Sequence, residues 1–241
     1  MATAELTEHV LTERARIARL SRIRELVLGT QDGLLVPLGV VTGLAGASAT
    51  VTVIIVGGVA EAAAGALAMG TGSYLASHAE NQLFKAEIAA EESELDDDPE
   101  GEQEELELLL VEEGLDARDA RVAAESIGRS RLSLLKTMVE KELGLSYGQI
   151  ETELGDAAVV GASYALAALV PLWPYFLWGR TTALAVSLAA TGLALFTLGV
   201  VKGKVARLQL VRSGLEVLLV GGVSAGLGYL IGGLGPHLFG H

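Results

Sequence analysis

Long stretches without any charged side chain divide the chain. Crossing a bilayer takes about 20 apolar residues of helix. Stretches of at least that length are 33–79, interrupted only by Glu61, and then 157–179, 181–201 and 217–236. The first is long enough for two helices, and the small, turn-favouring residues from Gly43 to Ser48 predict the break between them. The pattern predicts an all-α protein with a bundle of five transmembrane helices.

The segment between the second and third spans has a different pattern. No Gly or Pro occurs from Ala76 to Glu94, so the second helix is predicted to continue beyond the bilayer until a break at Pro99 and Gly101. Leucines and valines recur among the acidic residues that follow, which favours a packed helical domain. Its further helices are predicted at roughly 101–112, 116–127 and 129–143. We therefore expect three regions: 1–84, an inserted domain at 85–156, and 157–241.

Charge is concentrated in that insert. The 241 residues are 51% hydrophobic yet carry a net charge of −13. Residues 85–156 contain 22 acidic and 7 basic side chains, whereas the rest contains 8 acidic and 10 basic ones. An acidic surface repels phosphate, so no nucleic-acid partner is expected. Cysteine is absent and no nucleophile–base pair or phosphate-binding loop is present, so an enzyme is not expected either.

Basic residues predict the orientation in the membrane. Five arginines precede the first span and four basic residues separate the fourth from the fifth, whereas the opposite side shows only Arg180. The positive-inside rule then places the amino terminus and the insert in the cytoplasm and the carboxyl terminus outside. With no targeting segment visible, we expect a plasma membrane of prokaryotic type.

Two carboxylates fall where charge is costly. Glu61 lies inside the second span, where inserting a carboxylate into the bilayer costs at least about 2.5 kcal/mol of free energy. It is therefore expected to face a cation or a water-filled path. The alternative is a structural role, in which the carboxyl group is hydrogen-bonded to a neighbouring helix. Asp32, at the membrane edge, is either part of the same path or a helix cap. Met69 shares a helical face with Glu61, and Gly65 is predicted to leave a groove between them. Carboxylate and thioether together suit Fe²⁺, although a methionine in a span is often only a packing residue.

The insert carries further candidate metal ligands. Like charges on one helical face are destabilising unless something neutralises them, and carboxylates from several packed helices make an oxygen-rich site for divalent cations. A solvated acidic face is the alternative. The candidates by helical spacing are Glu87, Glu91 and Glu94 on the extended second helix, Glu102 and Glu105 on the next, and Met138 and Glu142 on the last.

Three segments carry a family resemblance. They are RELVLGTQDGLLVP at 24–37, GVAE at 58–61 and GALAMGTGSYLA at 65–76, followed by the Glu-rich insert. Together they resemble the vacuolar iron transporter (VIT) family of five-span proteins over nearly the whole chain. One departure is Ser73, where family members often have Glu, so metal entry is expected to rely on Glu80 or Glu87 or to run at a different rate.

The resemblance implies a homodimer that exports Fe²⁺, and related divalent ions such as Mn²⁺, from the cytosol in exchange for protons. It implies a pathway through the positions of Asp32, Glu61 and Met69 at the dimer interface, and no prosthetic group. It also implies capture of metal in the insert, at the positions of Glu91, Glu94, Glu102, Glu105, Met138 and Glu142. The alternative function is a membrane-anchored metal buffer or sensor, which would have no use for a carboxylate in mid-span.

Overall fold

The structure, a computed structural model, describes residues 2–144 and 153–239, with side chains described in 23–144 and 154–235. The helices are α1 (Ala2–Gly46), α2 (Val51–Asp97), α3 (Pro99–Glu112), α4 (Ala117–Gly128), α5 (Arg131–Lys141), α6 (Glu153–Leu172), α7 (Arg180–Val205) and α8 (Leu210–Phe239). A 3-10 turn at Trp173–Phe176 follows α6. The part of the predicted insert at 145–152 lies outside the described residues.

Among the described residues, five helices are long and apolar enough to cross a membrane, which confirms the predicted number of spans. These segments are Ile23–Gly46, α2, Leu154–Phe176, α7 and Leu210–Gly235. The break between the first two falls at 47–50, where Ser48 takes a left-handed backbone conformation with φ of 60°. Because α2 is uncharged from 62 to 79 and charged beyond, only its first half fits a bilayer.

The chain forms two compact units, each with its own core. The first, called the membrane unit here, comprises residues 1–74 and 153–241; the second, called the acidic unit, comprises residues 75–152. In the membrane unit, buried residues such as Leu38, Val41 and Ile54 pack against Leu172 and Tyr175. Apolar side chains cover much of its outer surface, as expected where helices face lipid rather than water.

Glycines bring α1 and α8 into backbone contact along a seam, the glycine seam. A Cβ at Gly43 would lie 3.2 Å from the carbonyl oxygen of Gly228, and one at Gly232 would collide with the backbone of Gly43. Ser224 Oγ adds a hydrogen bond of 3.2 Å to the Leu35 carbonyl. Small residues allow this close approach in membranes, where no hydrophobic effect drives helices together.

The acidic unit folds around leucines from three helices, with Ala120 and Ala124 of α4 packed among them. Leu95 of α2, Leu106 and Leu110 of α3, and Leu134 and Leu135 of α5 are all buried in one cluster. The helix starts are capped, since Asp98 Oδ1 accepts from Gly101 N at 2.9 Å and Asp116 Oδ1 from Arg118 N at 2.9 Å. The predicted helices of the insert are therefore present, with a break at Asp98 followed by Pro99.

Candidate functional site

The membrane unit gives Glu61 one specific partner. Tyr164, which is 2% exposed on α6, donates its phenol hydrogen to Glu61 Oε1. Asp32 of α1 is half-buried and lies near enough for its charge to act on the same phenol. Three helices thus contribute one polar group each to a site within an apolar bundle, which fits a functional carboxylate better than an isolated one.

Glycines make room for the tyrosine. A Cβ at Gly65 of α2 would collide with the phenol ring of Tyr164, and a Cβ at Gly33 of α1 would lie 2.8 Å from Tyr164 Cα. The predicted open groove between Glu61 and Met69 is therefore wrong, because the Tyr164 ring fills the space beside Gly65. Met69 itself is half-buried, two turns after Glu61 on α2.

In the acidic unit, carboxyl groups from three helices come together. Glu91 of α2 and Glu102 of α3 are 3% and 7% exposed, unusual values for glutamates. The Glu91 carboxyl hydrogen-bonds to those of Glu142 and Glu102. Glu94 and Glu105 are exposed residues whose charges act on the same groups. We call these five residues the glutamate cluster.

Within the cluster, Glu91 holds a proton near neutral pH. Burial, followed by the charges of Glu142 and Glu102, raises the pKa of Glu91 from 4.5 to about 8. Burial and then the charge of Glu105 raise the pKa of Glu102 and also that of Glu142. Two carboxyl groups can hydrogen-bond only when one of them carries a proton, and Glu91 is the group best placed to carry it.

Nearby cations do not neutralise the cluster. Three basic side chains of the acidic unit form ion pairs with carboxylates outside it, namely Arg121 with Glu107, Arg131 with Asp96 and Lys141 with Glu113. Among the described residues, no basic side chain is among the charges that act on Glu91, Glu102 or Glu142, so these carboxyl groups rely on protons or a bound cation for charge balance.

Unpaired oxygens mark both sites. Within 23–144 and 154–235, five buried side-chain oxygens lack a hydrogen-bond partner, and three of these are Glu61 Oε2, Glu91 Oε1 and Glu102 Oε2. The others belong to Tyr175 and Thr191. A buried oxygen without a partner is costly, which makes each carboxylate ready to accept a cation or a proton.

Two predicted ligands are placed differently from the rest. Met138 is fully buried within the leucine core of the acidic unit, where its side chain has a packing role. Glu87 is exposed, and its charge is not among those acting on Glu91, Glu102 or Glu142. In the described part of the chain, no three His, Cys, Asp or Glu groups are already arranged as a metal site. An ion would therefore have to draw the carboxylates of the cluster together.

A family model described as the VIT family matches residues 23–233. The chain belongs to the VIT family. Among its VIT-family relatives, a vacuolar iron transporter of Centaurea cyanus is 33% identical over 204 residues, covering 84% of this chain and 83% of that protein. Vacuolar iron transporter 1 of Arabidopsis thaliana is 30% identical over 216 residues, covering 89% and 86%. Vacuolar iron transporter 2 of Oryza sativa is 34% identical over 183 residues, covering 76% and 74%.

Within this VIT-family chain, Tyr164 is the site residue that sequence reasoning did not single out. Its contact with Glu61 joins positions 103 residues apart, which no local spacing predicts. The available indication was a tyrosine in the middle of an otherwise apolar span, since a buried phenol needs a hydrogen-bond partner. Glu61 is the strongest acceptor offered by the neighbouring span.

Proposed function

We propose that this chain is a membrane transporter that exports Fe²⁺, together with related divalent ions such as Mn²⁺, from the cytosol in exchange for protons. Family membership and the names of the relatives support iron transport across a membrane. The observation that carries the proposal is Glu61, a carboxylate in an apolar span with one oxygen bound to Tyr164 and the other unpaired. A purely structural carboxyl would use both oxygens.

Capture of the metal is the first proposed step. The glutamate cluster attracts a divalent ion, and the ion replaces the proton that Glu91 holds near neutral pH. Metal binding and protonation compete for the same oxygens, so capture is expected to release protons. The described residues form no preformed cage, which favours this exchange, because carboxylates that close around an ion can also open to release it.

Transfer through the membrane unit is the second step. We propose that Glu61, Asp32 and Met69 hold the ion in turn, and that Tyr164 positions the Glu61 carboxylate. Protonation of Glu61 or Asp32 from the far side lowers the affinity for metal and releases it, because one oxygen cannot hold both cations well. The two carboxylates are thereby the groups through which proton flux drives metal flux.

Orientation and assembly complete the proposal. The basic residues before the first span and between α7 and α8 support a cytosolic amino terminus and acidic unit, with the carboxyl terminus outside. α2 is the least buried of the five spans, with Val53, Val56 and Leu67 exposed, which supports a homodimer that covers it. Microscopy of a tagged chain distinguishes the expected plasma membrane from the vacuolar membrane in the names of the relatives.

The direct test measures Fe²⁺ flux and lumenal pH together in proteoliposomes. We expect Glu61→Gln, which keeps the shape but removes the charge, to abolish both. Glu216→Gln is the matched control, because Glu216 is exposed on another spanning helix and pairs only with Arg212 there. Unchanged Fe²⁺ flux in folded Glu61→Gln protein would show the pathway assignment to be wrong.

A membrane-anchored metal buffer is the second candidate, and the glutamate cluster is the observation that favours it. A buffer binds metal in the acidic unit but shows neither metal flux nor pH change in proteoliposomes. Metal binding without flux in the wild-type protein would therefore select the buffer over the transporter.

A further inference from the structure

Five exposed cations lie at one end of the membrane unit. α1 and α8 run parallel with a constant offset, since Leu35 pairs with Ser224, a difference of 189 positions, and Gly43 meets Gly232 at the same offset. Extending this register along both helices brings Arg24 level with Ser213. Arg212, exposed at the start of α8, therefore lies at about the same level of the bundle as Arg24.

The end of α7 reaches the same level. A Cβ at Gly199 would lie 2.7 Å from Gly214 Cα, and one at Gly203 would lie 3.5 Å from Leu210 Cα. The last turn of α7 and the following turn thus pack beside the first turn of α8. This adds three cations to the same end of the bundle: Lys202, Lys204 and Arg207. We call the five residues, with Arg24 and Arg212, the cationic collar.

The collar has few counter-charges. Arg24 pairs with Glu25 at 3.4 Å and Arg212 with Glu216 at 3.2 Å, and both arginine side chains are more than three-quarters exposed, so these pairs hold them weakly. Lys202, Lys204 and Arg207 are exposed and form no ion pair with any described side chain. Helix dipoles favour cations at the end of α7, but they account for Lys202 and Lys204 rather than for the whole collar.

Arg207 adds an independent observation. It has a φ of 56° directly after α7, where Leu208 N donates to the Gly203 carbonyl at 2.8 Å. Glycine is the usual residue at this left-handed position after a helix, because other side chains are strained there. An arginine at this position, where glycine would be less strained, supports a role for the Arg207 side chain.

We propose that the cationic collar binds the phosphate-bearing headgroups of anionic phospholipids. The collar residues Lys202 to Arg212 lie after the uncharged stretch 181–201 and before the uncharged stretch 217–236. This is the level of the lipid headgroups when those stretches cross the bilayer. Clustered Lys and Arg at this level attract anionic lipid. The other end of α7 carries Arg180 alone, so the attraction is confined to one leaflet. This inference does not depend on which ion the chain transports.

The test titrates the full-length protein in phosphatidylcholine-containing micelles with phosphatidylglycerol and counts bound lipid by native mass spectrometry. Each collar cation removed is expected to weaken phosphatidylglycerol binding roughly fivefold, so Lys202→Gln/Lys204→Gln/Arg207→Gln should lose roughly a hundredfold. Arg180→Gln, at the opposite end of the same helix, should bind as the wild type does. Equal losses in the two variants, or none in the triple variant, would overturn the proposal.

A second pair of variants covers the case in which the triple variant does not insert. Arg207→Gly suits the left-handed turn and should fold at least as well as the wild type, yet bind phosphatidylglycerol about fivefold more weakly. Arg207→Lys should keep the affinity. Identical affinities in these two would contradict a role for the charge. Competition by inorganic phosphate at concentrations equal to the lipid would instead assign the collar to free phosphate, and the lipid proposal would fail.

Discussion

The two carboxylate sites of this chain limit the energetic cost of negative charge in opposite ways. In the membrane unit Glu61 accepts a hydrogen bond from a neutral donor, Tyr164, whose phenol also feels the charge of Asp32. In the acidic unit five glutamates share one site, where the pKa values of Glu91, Glu102 and Glu142 are raised and that of Glu91, at about 8, keeps it protonated near neutral pH. Charge is costly in lipid, so the membrane site has few carboxylates, whereas water around the acidic unit allows many to gather. Few ligands favour passage of an ion, and many favour its capture.

Among the predicted effects, the largest should come from removing the charges of the glutamate cluster. We expect Glu91→Gln/Glu102→Gln/Glu142→Gln to weaken equilibrium Mn²⁺ binding roughly a hundredfold, because three ligand charges are lost. Flux at saturating metal should stay close to that of the wild type, since the membrane site is intact. The KM for metal should rise instead.

Exposed glutamates of the same unit provide the control for the cluster. Glu112→Gln/Glu140→Gln removes charge from outside the cluster, and metal binding should change little. An equal loss in both variants would mean that the acidic unit attracts metal by overall charge, without a defined site.

The Tyr164 hydroxyl should have the next largest effect. Tyr164→Phe leaves both oxygens of Glu61 unpaired, so we expect a loss of about 1–3 kcal/mol in stability and roughly a tenfold lower flux. Thermal unfolding and proteoliposome flux measure the two. Tyr229→Phe, at an exposed position of α8, should leave both unchanged. A flux that survives Tyr164→Phe in full would remove the positioning role of the phenol.

The proton held by the cluster should appear as a pH dependence of the metal-free protein. The pKa of Glu91 is raised to about 8 from 4.5, so its folded form is favoured while protonated and loses that advantage as the pH rises through about 8. Hydrogen-exchange protection of α3–α5 should therefore fall as the pH rises from about 4.5 to about 8 and change little above that.

Glu91→Gln should make that protection nearly independent of pH over the same interval, whereas Glu112→Gln should keep the fall. Added Mn²⁺ should restore protection at high pH, because a cation replaces the lost proton. Protection that rises with pH in the metal-free wild type would contradict the direction of the shift.

Met69 should have the smallest effect. Met69→Leu keeps an apolar side chain of similar size and removes only the thioether, so folding should be unchanged. We expect the ratio of Fe²⁺ flux to Mn²⁺ flux to fall roughly two- to threefold, because sulfur favours Fe²⁺, the softer of the two ions. The ratio measured with both ions in one assay checks this, and Met138→Leu in the core of the acidic unit is the control.

The spans and the helices of the acidic unit were predictable from local sequence. Uncharged stretches of sufficient length leave helix as the only way to satisfy the backbone in lipid. Asp98 followed by Pro99 ends α2 and starts α3, as expected from a capping residue and a residue without an N–H. These features depend on neighbours in sequence, which is why periodicity was enough.

Contacts between helices were harder to predict from the sequence. Helical spacing grouped Glu87 with Glu91, but the orientation of α2 toward α3 and α5 decides that Glu91 is buried and Glu87 exposed. The space beside Gly65 depends on α6, which supplies the Tyr164 ring. Spacing along one helix identifies a face, whereas the partner of that face comes from packing over long sequence separations.

The glycine seam sets the mutational tolerance of the chain. At Gly232 even one added methyl group would meet backbone that cannot move aside, whereas a Cβ at Gly72, Gly222 or Gly226 would have open space. In a library of single alanine replacements selected for stable membrane insertion, alanine should disappear at 232 and persist at the other three positions. Glycines of a single helix can therefore differ widely in their freedom to vary, since α8 carries both extremes within about three turns.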